Sequence, residues 1–452
     1  MRGIIIWLLN NHREGNMPQI KLEFEFGDPS IYNDLVCSPM LLQQICKWLS
    51  SQRENISMLE IALYLFNNEN LYSTLKDLAN SGCQIHIYSI PLEGYDDDKP
   101  INIKNHKNGS SLGRYTKLFF ANQIYADIQK PNNPNLHLHI VPHMYLRSNR
   151  VRAFSRGNMP YSLHCKTFFL RYKSGNAFAG LTSSNMAVRD AQKIEMAYVT
   201  SLNQPEIESA SDFFDGLKEN SILIDNFNPF GDYNHFQIIK RSIPRESKVL
   251  YTAPFYENSA SIFEDRLIAM IKRAKRRIVV CAQHICAYNY TYPKEFTAQS
   301  TGEMYVHKDG FLKDVLSMAN DGIPTTFLSQ TYADSQGSHG CRSPENKSAF
   351  IKFVTDARNT SNCNYYVNPN LHAKFMVIDD IIVATTCNFT PSQFIYLPNV
   401  NIPSFENIPN TSYSGIFCEF GAYFVQENQR LADLLVAHTD AIIALQTTQC
   451  ML

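Results

Sequence analysis

The sequence predicts an α/β protein of two similar lobes, each a mixed β-sheet flanked by helices, and three observations support this prediction. The chain has 452 residues, more than one ordinary hydrophobic core accommodates. Hydrophobic residues make up 44% and charged residues 18%, as in globular proteins that fold. A pattern of strand, helix and strand occurs twice, and helices that alternate with strands are typical of layered α/β sheets.

The first strand–helix–strand unit lies near the N-terminus. Residues 57–66 form an apolar run typical of a buried strand, residues 71–80 have helical spacing, and residues 84–90 alternate as a strand does. Gly82 is predicted to end the helix, because glycine readily adopts the conformation found just after a helix. An amphipathic helix over residues 41–50 is predicted before this unit.

The second unit repeats this order. Residues 277–284 are predicted to form its first strand, residues 311–320 its helix and residues 324–329 its second strand, again with a glycine, Gly322, after the helix. An amphipathic helix over residues 262–274 precedes the unit. The repetition predicts two lobes with the same arrangement of elements.

A polar stretch, residues 203–248, separates the two units and contains three prolines, so we place the boundary between the lobes near Pro244. The predicted division is an N-terminal extension 1–35, a first lobe 36–243 and a second lobe 244–452. Two further polar stretches, 91–113 and 331–348, are predicted to be long surface loops.

The second lobe contains a group of polar residues around two apolar strands. His372 and Lys374 lie two residues apart, so both side chains point off the same face of a strand. Asp379 ends that strand, and Asn388 follows on the strand that returns. Glu419 opens a later apolar strand.

The first lobe repeats this group of residues. His164 and Lys166 precede an apolar strand, Ser183 and Asn185 follow on the returning strand, and Glu195 opens a later strand. A single His-x-Lys triplet is weak evidence of a site. Two copies inside a duplicated α/β pattern are a specific signal.

These two segments resemble the paired H-x-K-x4-D and G-S-x-N signature of the phospholipase D superfamily, over roughly residues 36–426. Arg171 stands where the first Asp is expected, Thr386 replaces the second serine, and Thr182 and Thr385 replace glycines. The resemblance implies two phospholipase D-like lobes in one chain, with one composite active site at their interface.

The resemblance further implies cleavage of a phosphodiester without a metal or another cofactor. One imidazole attacks phosphorus to form a covalent phosphohistidine, and the other protonates the leaving alcohol. By the resemblance His164 is the nucleophile and His372 the general acid. Both steps suit histidine, because its ordinary pKa lies near neutrality. A carboxylate on the far ring nitrogen fixes the tautomer, and Glu195 and Glu419 are the candidates.

The remaining members of the motifs hold the phosphate, because a transferring phosphoryl group needs cationic and hydrogen-bond donors around it. The predicted catalytic residues are His164, Lys166, Asn185, Glu195, His372, Lys374, Asn388 and Glu419. Ser183 and Thr386 are predicted to bind substrate, and Asp379 is predicted to have a structural role, as in the family.

Polar loops favour DNA or RNA as the substrate, because lipid-acting members are expected to show an anchor or an apolar entry loop. Residues 145–154 interleave aromatic and basic side chains, which either stack on bases and neutralise phosphates or belong to a strand with a solvated face. Net charge is uninformative, since 41 Lys and Arg balance 42 Asp and Glu. Bacterial restriction or phage defence is one hypothesis for such a nuclease.

Two alternatives stay open. One is a phospholipase D or phospholipid transferase, since members of this superfamily act on lipids as well as nucleic acids. The other is a protein that binds phosphodiesters but cleaves them poorly, which the threonines and Arg171 leave open.

Other features bound the location and the cofactors. The eleven cysteines are scattered without a C-x-x-C pair, which favours reduced thiols and a cytoplasmic location. The apolar run 4–9 is too short for a signal peptide or a membrane span. His137, His139 and His143 have no acidic or cysteine neighbour in sequence, so we interpret them as strand histidines rather than metal ligands. Residues 427–445 are predicted to form an amphipathic helix.

Overall fold

A computed structural model describes residues 33–37, 41–64, 68–89, 95–96, 99–100, 133–141, 161–186, 193–226, 247–256, 259–293, 305–330, 344–394 and 418–451. The boundary predicted near Pro244, the segment 145–154 and His143 lie outside the described residues. So do most of the two predicted loops, 91–113 and 331–348.

The strands of the first half arise from the apolar and alternating segments of the sequence. In chain order they are β1 (Asn33–Cys37), β2 (Ile56–Leu63), β3 (Gln84–Ser89), β4 (Tyr95–Asp96), β5 (Lys99–Pro100), β6 (Leu136–Ile140), β7 (Tyr161–Ser162), β8 (Lys166–Tyr172), β9 (Ala177–Thr182), β10 (Met196–Ser201) and β11 (Ile222–Leu223). Eight of them form one mixed sheet in the order β1-β10-β9-β8-β2-β3-β6-β11. The strands β2, β3 and β6 run parallel, and the other neighbours are antiparallel.

The second half contains a sheet of the same kind. Its strands are β12 (Val249–Thr252), β13 (Ile278–Cys281), β14 (Asn289–Pro293), β15 (Tyr305–Asp309), β16 (Thr325–Ser329), β17 (Cys363–Val367), β18 (Phe375–Ile378), β19 (Ile381–Thr385), β20 (Cys418–Glu419), β21 (Gly421–Glu427) and β22 (Gln449–Cys450). Their order is β12-β21-β19-β18-β13-β16-β17-β22. As in the first sheet, three neighbouring strands, β13, β16 and β17, run parallel. The remaining pairs of neighbours are antiparallel.

Each strand of the first sheet therefore has a counterpart at the same place in the second. The two motif hairpins, β8–β9 and β18–β19, occupy equivalent central positions. The predicted fold class, α/β with two mixed sheets flanked by helices, is confirmed.

The helices described pack around these sheets. They are α1 (Leu41–Ser51), α2 (Glu69–Asn80), α3 (Gln204–Glu219), α4 (Ser259–Ile271), α5 (Leu312–Asn320), α6 (Pro344–Arg358) and α7 (Gln429–Ile443). Asn68 caps α2 by accepting a hydrogen bond from the Leu71 backbone N–H at 3.0 Å. Gly82 and Gly322 follow α2 and α5 with φ of +94° and +98°, a conformation that glycine adopts without strain. Among the described residues, no helix is long and apolar enough to cross a bilayer.

Helix α3 was not predicted, because the stretch 203–248 reads as a polar connection. Its start carries a recognisable signal: Asn203 and Glu206 form a reciprocal capping box with a proline in the first turn. The helix joins the halves, since Phe213 stacks on Tyr251 of β12 with 4.3 Å between ring centroids. One cluster of buried apolar side chains consequently includes residues of both sheets.

The prediction of a loop over residues 331–348 was wrong for its last part, because α6 begins at Pro344. Proline is favoured in the first turn of a helix, where its missing N–H has no intrahelical partner in any case. The loop was predicted from the polar composition of residues 331–348, although Pro344 is a signal for the start of a helix.

His438 on α7 predicts a specific pH dependence of stability. Its side chain is buried, neither ring nitrogen has a hydrogen-bond partner among the described residues, and burial lowers its pKa to about 4. The unfolded chain therefore binds a proton on His438 more readily than the native protein, and stability is lost as the pH falls from about 6.5 towards 4.

We expect His438→Leu to recover on the order of 2 kcal/mol of unfolding free energy at pH 5, and much less at pH 7.5. Denaturant unfolding at both pH values measures this difference. His307→Leu, at an exposed histidine, is the control for the substitution itself. Equal loss of stability on acidification in wild type and His438→Leu would contradict this account.

Candidate active site

The two motif lysines lie at equivalent places, deep in the protein. Lys166 is the first residue of β8 and Lys374 directly precedes β18, and neither exposes any side-chain surface. Each ammonium donates to the backbone carbonyl of the histidine two residues earlier, at 2.6 Å in the first half and 2.7 Å in the second. Buried ammonium groups at matched positions provide concentrated positive charge for a bound anion.

Each motif histidine meets a glutamate from the opposite half of the chain. His372 Nδ1 lies 2.6 Å from Glu195 Oε1, and His164 Nδ1 lies 3.0 Å from Glu419 Oε2. The sequence predicts these four residues as members of one site. The structure adds that the pairing is crossed between the halves.

Backbone contacts between the halves hold both crossed pairs. The carbonyl of Ile194 accepts from the backbone N–H groups of His372 at 2.9 Å and Ala373 at 2.7 Å, so Glu195 is fixed beside the second motif. At the other junction β20 runs parallel to β7, with Glu419 opposite Ser162, close to the first motif. The two halves are therefore joined at the functional groups themselves.

A second donor contacts each glutamate. The Ser183 hydroxyl donates to Glu195 Oε2, and the Gln393 side-chain amide donates to Glu419 Oε2. Gln393 was not predicted as a site residue. It lies in a short 3₁₀ turn, Pro391–Gln393, and no spacing rule of the motif points to it.

The hydroxyls expected to bind substrate are engaged within the protein. Ser183 bonds Glu195 and also accepts from the Met196 backbone N–H at 2.9 Å, while Thr386 Oγ1 accepts from the Ala422 N–H at 3.2 Å. These contacts connect the motif turns to the strands that carry the glutamates. They do not depend on a ligand.

The two motif asparagines are almost completely buried. Asn388 Oδ1 accepts from the backbone N–H of His284 at 3.2 Å, which fixes the orientation of its amide. Asn185 follows Thr182, Ser183 and Ser184, all buried polar residues at the end of β9. Side-chain amides of fixed orientation are suited to donating to phosphate oxygens.

Burial determines the protonation states of the site. It lowers the pKa of His164 to about 4, assisted by the positive charge of Lys166 and opposed by Glu419. Burial raises the pKa of Glu195 to about 7, against the opposing effects of Lys374 and Ser183. His164 is therefore neutral at physiological pH, the state in which an imidazole acts as a nucleophile.

Asp379 and Arg171, which occupy the same place in the two motifs, lie away from the histidines. The Asp379 carboxylate accepts from the backbone N–H groups of Lys275, Arg276 and Arg277 at 2.8–3.1 Å. Arg171 instead donates to the Ser211 hydroxyl of α3 at 2.7 Å. The difference between the motifs thus concerns how each hairpin is anchored to its own lobe.

The strand histidines form a separate cluster in the first lobe. His86 and His137 stack with 4.7 Å between ring centroids, and His86 Nδ1 lies 3.1 Å from His139 Nε2. Burial lowers the pKa of all three rings. No group of three or more possible ligands able to hold a metal is found in the part of the chain that the structure describes.

Loss of the Asp379 carboxylate should destabilise the second lobe. We expect Asp379→Ala to cost about 2 kcal/mol of unfolding free energy, because three backbone donors lose a charged acceptor and alanine must adopt a φ of +53°. Asp379→Asn should cost less, since asparagine tolerates this conformation. Urea titration measures both changes.

The neighbouring Asp380 is the control, because its side chain pairs with Arg276 at the surface. Asp380→Ala should change stability much less than Asp379→Ala. Equal effects of the two substitutions would show that the three backbone bonds are unimportant.

Comparisons with known proteins address the fold. No family model matches the chain, and no curated protein sequence matches it. A phosphatidylserine synthase of Haemophilus influenzae Rd KW20 is 11% identical over 93% of this chain and 87% of its own, with a TM-score of 0.53.

Two other solved structures align at lower TM-scores. The polyphosphate kinase from Porphyromonas gingivalis is 8% identical over 91% of this chain, with a TM-score of 0.47, and this chain spans 50% of its length. A yeast tyrosyl-DNA phosphodiesterase is 12% identical over 84% of each chain, with a TM-score of 0.40. At 11% identity, the likeness to the phosphatidylserine synthase is one of fold.

Proposed function

The chain has the two-lobed phospholipase D fold, and on this premise we propose that it is a metal-independent phosphodiesterase that acts on DNA or RNA. The observation that carries the proposal is the pair of crossed contacts, His372 with Glu195 and His164 with Glu419. Two histidines, each with a carboxylate within 3.0 Å of its Nδ1 and accompanied by a buried lysine, can supply a nucleophile, a proton donor and positive charge.

In the first step His164 Nε2 attacks phosphorus, and the bond from phosphorus to the leaving oxygen breaks. Glu419 faces Nδ1 and stabilises the positive charge that develops on the ring as the N–P bond forms. His372 gives its Nε2 proton to the leaving oxygen, and Glu195 holds it in the required orientation. Lys166, Lys374 and the two motif asparagines stabilise the negative charge on the remaining phosphoryl oxygens.

In the second step water cleaves the phosphohistidine. Nε2 of His372 is now unprotonated and takes a proton from the attacking water, while the N–P bond to His164 breaks. Both histidines return to their starting states with no net loss of protons. The buried lysines provide the positive charge around phosphorus that this chemistry needs.

The proposal of a nucleic-acid substrate is supported by Tyr64, which directly follows β2. Its ring meets the His164 imidazole edge-on at 5.1 Å, and Lys166 Nζ lies 5.5 Å from its centroid. A partly exposed aromatic ring beside the reacting groups can stack on a base, and such stacking is largely independent of sequence. In the second half a polar residue, Gln283, lies two residues after β13, and its side-chain amide donates to Gln330 at 2.7 Å.

The reaction is tested by offering single- and double-stranded DNA, RNA and phosphatidylcholine in excess EDTA. We expect cleavage of nucleic acid by the wild type, and a loss of about 10²–10⁴-fold or more in His164→Ala and in His372→Ala. His307→Ala, at an exposed histidine, is the matched control and should retain activity. Cleavage of the lipid alone would favour a phospholipase D or phospholipid transferase, and a wild type that binds substrate without cleaving any of them would sink the catalytic proposal.

The role of Tyr64 is tested with oligonucleotides that carry either a base or an abasic residue next to the scissile phosphate. We expect Tyr64→Leu to raise KM for the normal oligonucleotide about tenfold, the loss of one stacking contact. Tyr64→Phe should preserve it. The abasic oligonucleotide should respond to neither substitution, and an equal rise in KM for both substrates would remove the argument for stacking.

A further inference from the structure

The two crossed pairs share a layout but differ in the second donor to the carboxylate. Glu195 accepts a hydrogen bond from the Ser183 hydroxyl, and Glu419 accepts one from the Gln393 side-chain amide. Ser183 belongs to the motif turn at the end of β9. Gln393 lies five residues beyond Asn388, outside the motif. The two crossed pairs therefore differ in the second donor to the carboxylate.

The surroundings of Gln393 fix the orientation of its amide. The side chain has no exposed surface and lies between Glu419 and Tyr423. The Tyr423 hydroxyl donates to Gln393 Oε1 at 3.4 Å, which leaves the NH₂ group towards the carboxylate.

An amide nitrogen and a hydroxyl place different conditions on a carboxylate. The amide N–H can only donate, so it stabilises the ionised form of Glu419 more than the protonated form, whose neutral oxygens are weaker acceptors. The Ser183 hydroxyl can donate to an ionised Glu195 and can rotate to accept from a protonated one. The amide therefore favours the ionised state, and the hydroxyl can serve either state.

We propose that Gln393 is a positioning residue that holds Glu419 as an ionised carboxylate against His164, and thereby makes the two half-sites chemically unequal. This inference deepens the proposed function, because it assigns a residue outside the motifs to the phosphodiesterase site. An ionised Glu419 keeps the proton of neutral His164 on Nδ1, so the lone pair of Nε2 faces the substrate. Ser183 leaves Glu195 and His372 free to exchange a proton.

Among the described residues, the charged groups that act on His164 are Lys166 of its own motif and Lys374 and Glu419 of the other half. The negative charge of Glu419 also raises the pKa values of Cys387 and Tyr423, although burial is the larger cause of both increases. Removal of the Gln393 donor leaves a less stabilised carboxylate beside His164. The pair should then hold its proton to a higher pH.

The test measures the proton affinity of His164 directly. Diethyl pyrocarbonate reacts with neutral imidazole, and peptide mapping by mass spectrometry follows His164 and His372 separately between pH 4 and pH 8 in the full-length protein. We expect Gln393→Met and Gln393→Glu to lower the reactivity of His164 at pH 5 about tenfold, through a shift of its titration midpoint to higher pH. Ser183→Ala is the matched control in the other half-site, and it should shift the midpoint of His372 and not that of His164.

The two Gln393 variants protect the test against misfolding. Methionine keeps the side-chain volume without a hydrogen-bond donor, and glutamate keeps the shape but adds charge. Only a variant whose melting temperature matches that of the wild type is interpreted. A His164 midpoint unchanged in a folded variant, or reactivity reduced equally at every pH, would overturn the inference and indicate a packing role. This readout needs no turnover, so a shifted midpoint in a protein that cleaves nothing would support the inference while the proposed function fails.

Discussion

The contact of each histidine with a glutamate from the opposite half is the constraint on which the rest of the structure depends. Neither half contains a complete pair, so the two sheets must meet with both junctions in register. The carbonyl of Ile194 and the ladder between β7 and β20 supply that register through backbone hydrogen bonds. Helix α3 and the shared core then bury the remaining surface between the sheets.

The low dielectric constant of the buried site explains why its histidines and glutamates occur in pairs. Isolated charges are costly to bury, and a carboxylate beside an imidazole, with a lysine nearby, reduces this cost without neutralising the groups. The same burial that lowers the pKa of His164 raises that of Glu195. Desolvation thus acts in opposite directions on a base and an acid, and it brings both groups towards states useful near neutral pH.

Much of this arrangement can be predicted from the sequence, because it is encoded locally. The spacing of His372 and Lys374, and its repetition at His164 and Lys166, predicts the positions of the motif hairpins, and the duplicated strand–helix–strand order predicts both sheets. The resemblance to the phospholipase D superfamily that these motifs carry is confirmed at the level of the fold. Strands, helices and hairpins can be predicted from alternation and helical periodicity because they depend on residues that are close together in the chain.

What could not be predicted depends on contacts between distant residues. The sequence offers Glu195 and Glu419 as partners, but only the fold determines that each serves the histidine of the other half. Gln393 becomes a site residue through a turn whose position depends on β20 and β21. Helix α3 was not predicted for a different reason. The polar composition of residues 203–248 was interpreted as a connection, although the capping box at Asn203 and Glu206 is a signal for the start of a helix.

The crossed arrangement also bears on how such a protein can diverge. Two copies of a single half, assembled as a symmetric dimer, would form both pairs and would necessarily carry the same residue on each side. Fusion into one chain removes that restriction. A serine can then face one carboxylate while a glutamine faces the other, and an arginine can stand where its counterpart is an aspartate. Covalent linkage of the halves therefore permits a division of labour between two half-sites that share one layout.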